Sequence, residues 1–277
     1  MAKKTIAKKV VKKNTITGKG KRPVILVTND DGITAPGLRN LAEVMQLFGD
    51  VYVVAPDGPQ SAMGHAITIN RPLRLDKVNV FEGTGIQSWQ SSGTPVDCVK
   101  LAVNKILHRK PDLLVSGINH GSNSSINVIY SGTMSAAMEG AIEGIPSIGF
   151  SLLNFSLEAD FKASRHFVEI IVRNILAIGL PENTLLNVNI PYLPLKKIKG
   201  IKICRQANAK WMEEFDERMD PNKRNYYWLT GKFKNFDSGN DTDEWALENG
   251  YVSIVPVGFD FTAHHAIPHL NTVKWHG

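Results

Sequence analysis

The chain has 277 residues, 43% hydrophobic and 21% charged, a length and balance that suit one large soluble globular domain, or one with an appendage. The formal net charge is +6, but residues 1–22 hold nine Lys/Arg and no acid; taking those nine from 32 leaves 23 basic residues against 26 acidic ones, so the rest is slightly acidic. Two cysteines, Cys98 and Cys204, exclude a disulfide framework and favour a reducing, cytoplasmic setting. No apolar run approaches the ~20 residues that span a bilayer, and the basic start lacks the apolar segment of a secretory signal, so no membrane role is expected.

In chain order, the Lys-rich residues 1–22 read as a solvated disordered tail, with a nucleic-acid or membrane-surface contact as the sharper alternative. Val24–Val27 reads as a buried strand that runs into Asn29, Asp30, Asp31 and Gly32. A helix follows with Leu38, Leu41, Ala42, Met45 and Phe48 on one face, ended by Gly49. Val51–Val54 is a second strand, followed by the polar stretch Asp57–Gly64. A helix opens at Thr94-Pro95-Val96-Asp97, with Thr94 as N-cap and Asp97 as the acid of its first turn. Its apolar face is Val96, Val99, Ala102, Val103 and Ile106.

Asp112–Ser116 reads as a strand and Gly117–Asn127 as a polar loop. A further helix starts near Thr133, with Met134, Ala137, Met138, Ala141 and Ile142 directed inward. Strand 145–150, helix 163–178 and strand 185–190 complete residues 23–191. Apolar strands alternating with helices predict an α/β core: a Rossmann-like, doubly wound, mostly parallel sheet. Residues 192–277 are irregular, charged and aromatic. They predict hairpins and loops that cover the site or serve in oligomerisation, with 250–255 as a strand that returns to the core.

In a doubly wound sheet, ligands bind outside the carboxyl ends of the strands. Here three such ends are rich in oxygen: Asn29-Asp30-Asp31, the stretch around Ser61, and Ser116–Asn123. Two adjacent carboxylates repel unless they share a proton or a cation. Oxygen ligands suit one hard divalent ion, Mg²⁺ or Mn²⁺, and no His/Cys cluster has zinc spacing. The plainer reading of Asn-Asp-Asp-Gly is a turn that caps the next helix. Ser131, Gly132 and Thr133 precede a helix of small residues, where free N–H groups attract anions; ordinary capping is the alternative. His65 and His120 lie in the candidate loops, where a histidine can protonate a leaving group; a plain polar surface residue is the commoner reading. His264, His265 and His269 read as surface residues. Gly83-Thr84-Gly85 is too short for a dinucleotide fingerprint, and none follows the first strand, which argues against an NAD enzyme.

The ordered motifs VTNDDGITAPGL (27–38), VVAP (53–56) with Ser61, SGINHGSN (116–123), YSGTMSAAMEG (130–140), LNVNIP (186–191) and GYVSIVP (250–256) resemble the SurE family, stationary-phase survival proteins that act as metal-dependent 5′-nucleotidases. The resemblance runs from about residue 23 to 262. It implies hydrolysis of nucleoside monophosphates to nucleoside and phosphate, by attack of a metal-activated water, in a homodimer or homotetramer. It implies metal ligands Asp30, Asp31, Ser61 and Asn119, and phosphate contacts from Asn123, Ser131, Gly132 and Thr133. Asp30 and Asp31 are the candidate catalytic residues: either could take the proton from that water, with Asp30 the preferred base. Many members have Ser-Gly where this chain has Ser61-Ala62. The residues themselves leave two other readings open. One is a phosphatase with a nucleophilic aspartate, which needs a spaced Asp-x-Asp rather than adjacent acids; the other is a nucleotide sensor without catalysis. Wider action on 3′-nucleotides or polyphosphate is also open. Trp89, Tyr130, Trp211, Tyr226, Tyr227 and Trp228 are the aromatic candidates for stacking on a base, with packing in the core as the alternative for each.

Overall fold

The computed structural model describes residues 22–275, so the basic-tail reading falls, Arg22 apart, outside the described residues. In chain order the elements are β1 (Val24–Thr28), α1 (Pro36–Met45), β2 (Asp50–Pro56), β3 (Leu75–Val78), β4 (Gln87–Ser91), α2 (Pro95–Leu101), β5 (Leu113–His120), α3 (Gly132–Ile142), β6 (Ser147–Leu152), α4 (Lys162–Ile178), β7 (Thr184–Ile190), β8 (Ile201–Ile203), β9 (Ala209–Met219), β10 (Asn225–Asn235), α5 (Asp243–Glu248) and β11 (Val252–Gly258).

Nine strands form one sheet in the order β3-β4-β2-β1-β5-β6-β7-β11-β8. The six from β4 to β7 are mutually parallel. Numbered along the chain they run 3-2-1-4-5-6, the doubly wound order whose direction reverses between the first and fourth strands. That switch point lies between β1 and β5. Antiparallel β3 closes one side, and β11 returns from the C-terminal region to pair antiparallel with β7.

Every residue of β1, β6 and all but the first of β7 are buried, because helices cover both faces. On one face Leu38, Leu41 and Met45 of α1 and Phe167, Val168 and Val172 of α4 pack on Ile25, Val27, Val115 and Phe150. On the other, Val99 of α2 and Met134, Ala137 and Ala141 of α3 pack on Leu26, Val54 and Leu114. Met138 is only half-buried and Ile142 is exposed, against expectation, because Glu139 takes the inward place on that turn. The predicted start of α2 forms as a capping box: Thr94 Oγ1 accepts from Asp97 N–H, and the Asp97 carboxylate accepts from Thr94 N–H.

Three strands went unpredicted: β3 and β8, which are short and lie at the sheet edges, and β4, whose sequence QSWQS carries little apolar signal. Strand β5 also runs four residues beyond the predicted end. Its pairing with β6 shifts register between Ser116 and Asn119, a bulge that re-aims the residues after it. Residues 209–235, within the region expected to form hairpins, form the two-stranded antiparallel hairpin β9–β10, separate from the main sheet.

Candidate active site

At the end of β1 the chain turns under local control. Asn29 is fully buried, and its amide donates to Gly32 O at 3.0 Å, so the turn reading of this tetrapeptide also holds. Gly32 has φ +99°, and a Cβ there would come within 3.3 Å of Gly58, so this tight crossing favours glycine. Ile33 N–H donates to Pro56 O at 2.9 Å and Gln60 N–H to Asp30 O at 2.7 Å, which ties the segment after β2 to the acid pair.

Asp30 points at the N-terminus of α3. Its carboxylate accepts from the Thr133 hydroxyl and from the Thr133 N–H. A Cβ on Gly132 would stand 2.7 Å from Asp30 Cβ and 2.8 Å from Oδ2, so only glycine lets the helix start this close. The anion at this helix N-terminus is therefore Asp30 itself. Burial raises the Asp30 pKa to about 6; the Thr133 bonds lower it and the Asp31 charge raises it. Thr133, expected to donate to phosphate, spends its hydroxyl proton on Asp30. Ser131 caps α3, its Oγ accepting from Met134 N–H at 3.0 Å.

Asp31 also has a raised pKa, because burial outweighs the favourable His120 charge and the His120 N–H bond. Its Oδ2 is buried with no hydrogen-bond partner. Asn119 donates from its amide nitrogen to Gly121 O at 3.0 Å, which leaves the amide oxygen for a ligand. Asn123 is propped from behind by β7. Its N–H donates to Asn189 Oδ1 at 2.8 Å, and its O accepts from Asn187 Nδ2 at 2.8 Å. Its side-chain nitrogen donates to Ser151 Oγ at 2.8 Å. The spacing of Asn187 and Asn189 puts both on one face of β7, which gives the LNVN motif its structural purpose.

These residues border a cavity of about 490 Å³. Asp30, Asp31, Ser61, Asn119, Asn123 and Ser131 line it, whereas Gly132 and Thr133 lie behind Asp30 and do not. Of the two loop histidines only His120 lines it. Its Nδ1 donates to Ser156 O at 2.9 Å, and Nε2 is buried and unpartnered. His65 turns away to Glu139. His264 is exposed and pairs with Asp260 at 2.8 Å. Tyr130 and Trp211 line the cavity; Trp89 instead stacks on Tyr52 within the sheet, and Tyr226, Tyr227 and Trp228 are exposed on β10. Sequence reasoning missed Phe155, Phe233 and Glu244 of the lining. The one local signal for Glu244 is the Thr242 cap of α5, which accepts from Trp245 N–H at 3.2 Å.

An unpartnered buried carboxylate oxygen, a second carboxylate, an amide oxygen and a hydroxyl fit a hard divalent cation. Among the described residues no group of three His, Cys, Asp or Glu offers another metal site.

Fold and cavity define the class: a doubly wound α/β protein whose oxygen-lined ligand crevice opens at the topological switch point of the sheet. The family model "Survival protein SurE" matches residues 25–213. Two relatives named 5′-nucleotidase SurE are 66% identical (Christiangramia forsetii, over 91% of this chain and 97% of the relative) and 64% identical (Flavobacterium johnsoniae, over 94% and 100%). The crystal structure of the SurE protein from Aquifex aeolicus superposes with a TM-score of 0.79 at 40% identity, over 90% of this chain and 99% of that one. The chain belongs to the SurE family.

Within that family resemblance, the departure at Ala62 has a backbone meaning. Ala62 has φ 55°, the left-handed conformation in which a glycine is free of strain.

Proposed function

We infer that the protein is a 5′-nucleotidase, a phosphoric monoester hydrolase that releases phosphate from nucleoside 5′-monophosphates with a divalent cation, Mg²⁺ or Mn²⁺. The observation that carries this reading is the unpartnered Asp31 oxygen, which shares one cavity with Asp30, Asn119 and Ser61 in a chain whose relatives bear that name. Asp30, Asp31, Ser61 and Asn119 would hold the cation. When bound, it supplies Lewis acidity, lowers the pKa of a water and relieves the repulsion between the two carboxylates.

Asp30 is the base. Its carboxylate takes a proton from water, and the Thr133 hydroxyl fixes its orientation. Asn123 and the Ser131 end of α3 position the phosphate, Asn123 on a backbone that Asn187 and Asn189 hold still. His120 is the candidate proton donor to the departing 5′-oxygen, being the loop histidine that reaches the cavity. Trp211 and Tyr130 offer flat apolar faces for the base; Trp211 is itself anchored by Nε1–H donation to Asn127 Oδ1 at 2.8 Å.

The hairpin β9–β10 supports assembly into a homodimer or homotetramer. Phe215, Met219, Tyr227, Trp228 and Leu229 are all more than half exposed on it, and a two-stranded ribbon is marginal in water without a partner surface. Among the described residues no helix is long and apolar enough to cross a membrane.

The deciding experiment is a phosphate-release panel over nucleoside 5′- and 3′-monophosphates and polyphosphate, run with Mg²⁺, with Mn²⁺ and with chelator. Release confined to 5′-monophosphates and abolished by chelation is the expected result. Tight nucleotide binding without release would make the protein a sensor.

A further inference from the structure

Ser61 is the outlier of the expected ligand set. Asp30, Asp31 and Asn119 sit at ends of central strands, whereas Ser61 stands on the irregular stretch 57–66, where it and its neighbours Ala62 and Met63 are exposed. The backbone of that stretch is tethered at four points: Asp57 N–H to Ser91 O at 2.8 Å, Gln60 N–H to Asp30 O, Gly64 N–H to Tyr130 O at 3.2 Å, and Ala66 O to the Thr94 hydroxyl at 2.7 Å. Among the described residues, one side chain between Asp57 and Ala66 makes a hydrogen bond: His65, whose Nε2 lies 2.9 Å from Glu139 Oε2.

Glu139 has no place in the reaction proposed above, yet it is a carboxylate only 3% exposed in the middle of α3. Its other oxygen accepts from Lys100 Nζ of α2. A charge this deep is costly unless each oxygen is satisfied, and Lys100 and His65 satisfy one each. Burial alone would raise the Glu139 pKa, but the two partners outweigh it and hold the group ionised below its ordinary value. Lys100 joins two helices already packed together. His65 is different, because it joins the helix that carries Ser131 and Thr133 to the loop that carries Ser61.

We propose that His65 and Glu139 are positioning residues: their bond holds the 57–66 loop so that the Ser61 hydroxyl stays in the cavity with Asp30, Asp31 and Asn119. Neither side chain lines that cavity, so the pair acts through Ser61 and not on substrate. The inference rests on the reading of Ser61 as a ligand. It makes α3 the common backing of both halves of the site, with Thr133 bonded to Asp30 at its start and Glu139 bonded to the loop two turns later.

The test uses the full chain, with Mn²⁺ affinity measured by titration calorimetry and loop mobility by amide hydrogen exchange. His65→Ala leaves Glu139 paired with Lys100, so the melting temperature is expected to hold within a few degrees. Exchange at residues 60–66 is expected to speed up and Mn²⁺ binding to weaken about tenfold, the loss expected for one hydrogen bond to a charged group. His65→Gln, which keeps a donor, should recover part of that loss. The decisive measurement is a cycle with Ser61→Ala: if His65 acts through Ser61, the double variant binds Mn²⁺ no more weakly than Ser61→Ala alone. Additive losses, or unchanged affinity in His65→Ala, would overturn the proposal while leaving Ser61 a ligand. Unchanged affinity in Ser61→Ala would remove the ligand reading and the proposal together.

Discussion

Every residue from Ser131 to Ala137 is buried, whereas Ser61, Ala62 and Met63 across the same cavity are all exposed. The first wall is a helix start docked on Asp30, with both Thr133 donors engaged and no room for a side chain at Gly132. The second is a loop held by a few backbone bonds and one histidine. One wall is set by the packing of the core, the other by tethers that break one at a time. Damage to the first should therefore be abrupt and damage to the second graded.

The largest effect is expected at the acid pair. Asp31→Asn should lower nucleotide hydrolysis by about a thousandfold while circular dichroism stays unchanged, because a neutral amide no longer offers an anionic ligand. Wild-type turnover in that variant under full chelation would break the whole assignment. Next is Gly132→Ala, whose new Cβ would lie 2.7 Å from Asp30 Cβ. Something must shift, and displacing a reacting group by an ångström costs about a hundredfold in kcat. A kcat within threefold of wild type would show that this wall yields more easily than its burial implies.

A third prediction concerns pH in the metal-free protein. Asp30 has a pKa of about 6 folded against 3.8 in its unperturbed state. The folded form thus binds the proton more tightly, so this group's stabilisation is full below pH 4 and is lost as pH rises towards 6. The loss is at most about 3 kcal/mol. Thermal melts from pH 4 to 7 should show that decline, and Asp30→Asn should flatten it; a decline unchanged in the variant would assign it elsewhere. The smallest effect belongs to the open wall. Ala62→Gly relieves a left-handed alanine, worth ~1–2 kcal/mol, against the extra chain entropy of glycine, ~0.5–1 kcal/mol. Stability should rise by no more than about 1 kcal/mol with activity within twofold, as denaturant titration and initial rates would show; a clear loss of stability would mean that the alanine is not strained.

The same contrast separates what the sequence shows from what it hides. Strands β1, β2, β5, β6 and β7 were legible because burial on both faces demands unbroken apolar runs, and turn residues at their ends expose the oxygen-rich positions. Strand β4 was not, since its buried Ser88 is satisfied by donating to Val78 O at 2.7 Å and needs no apolar neighbours. The end of β5 was not, because a bulge looks like a polar loop in one dimension. In the site, residue types pointed to Asp30, Asp31 and Asn119, but only the fold reveals that Thr133 serves Asp30. Glu139 has its meaning in a partner 74 residues away. Glu244 enters the cavity from a segment with no periodicity to read.

The Thr133–Asp30 bond joins residues 103 positions apart. An acid of the first strand therefore has no settled orientation until the third main helix has docked beside it. A chain that has made β1 and β2 but not α3 carries two carboxylates with nothing behind them. Competence to hold a cation should thus appear late in folding, together with native packing. Metal uptake during refolding would then serve as a clock for the closing of the core.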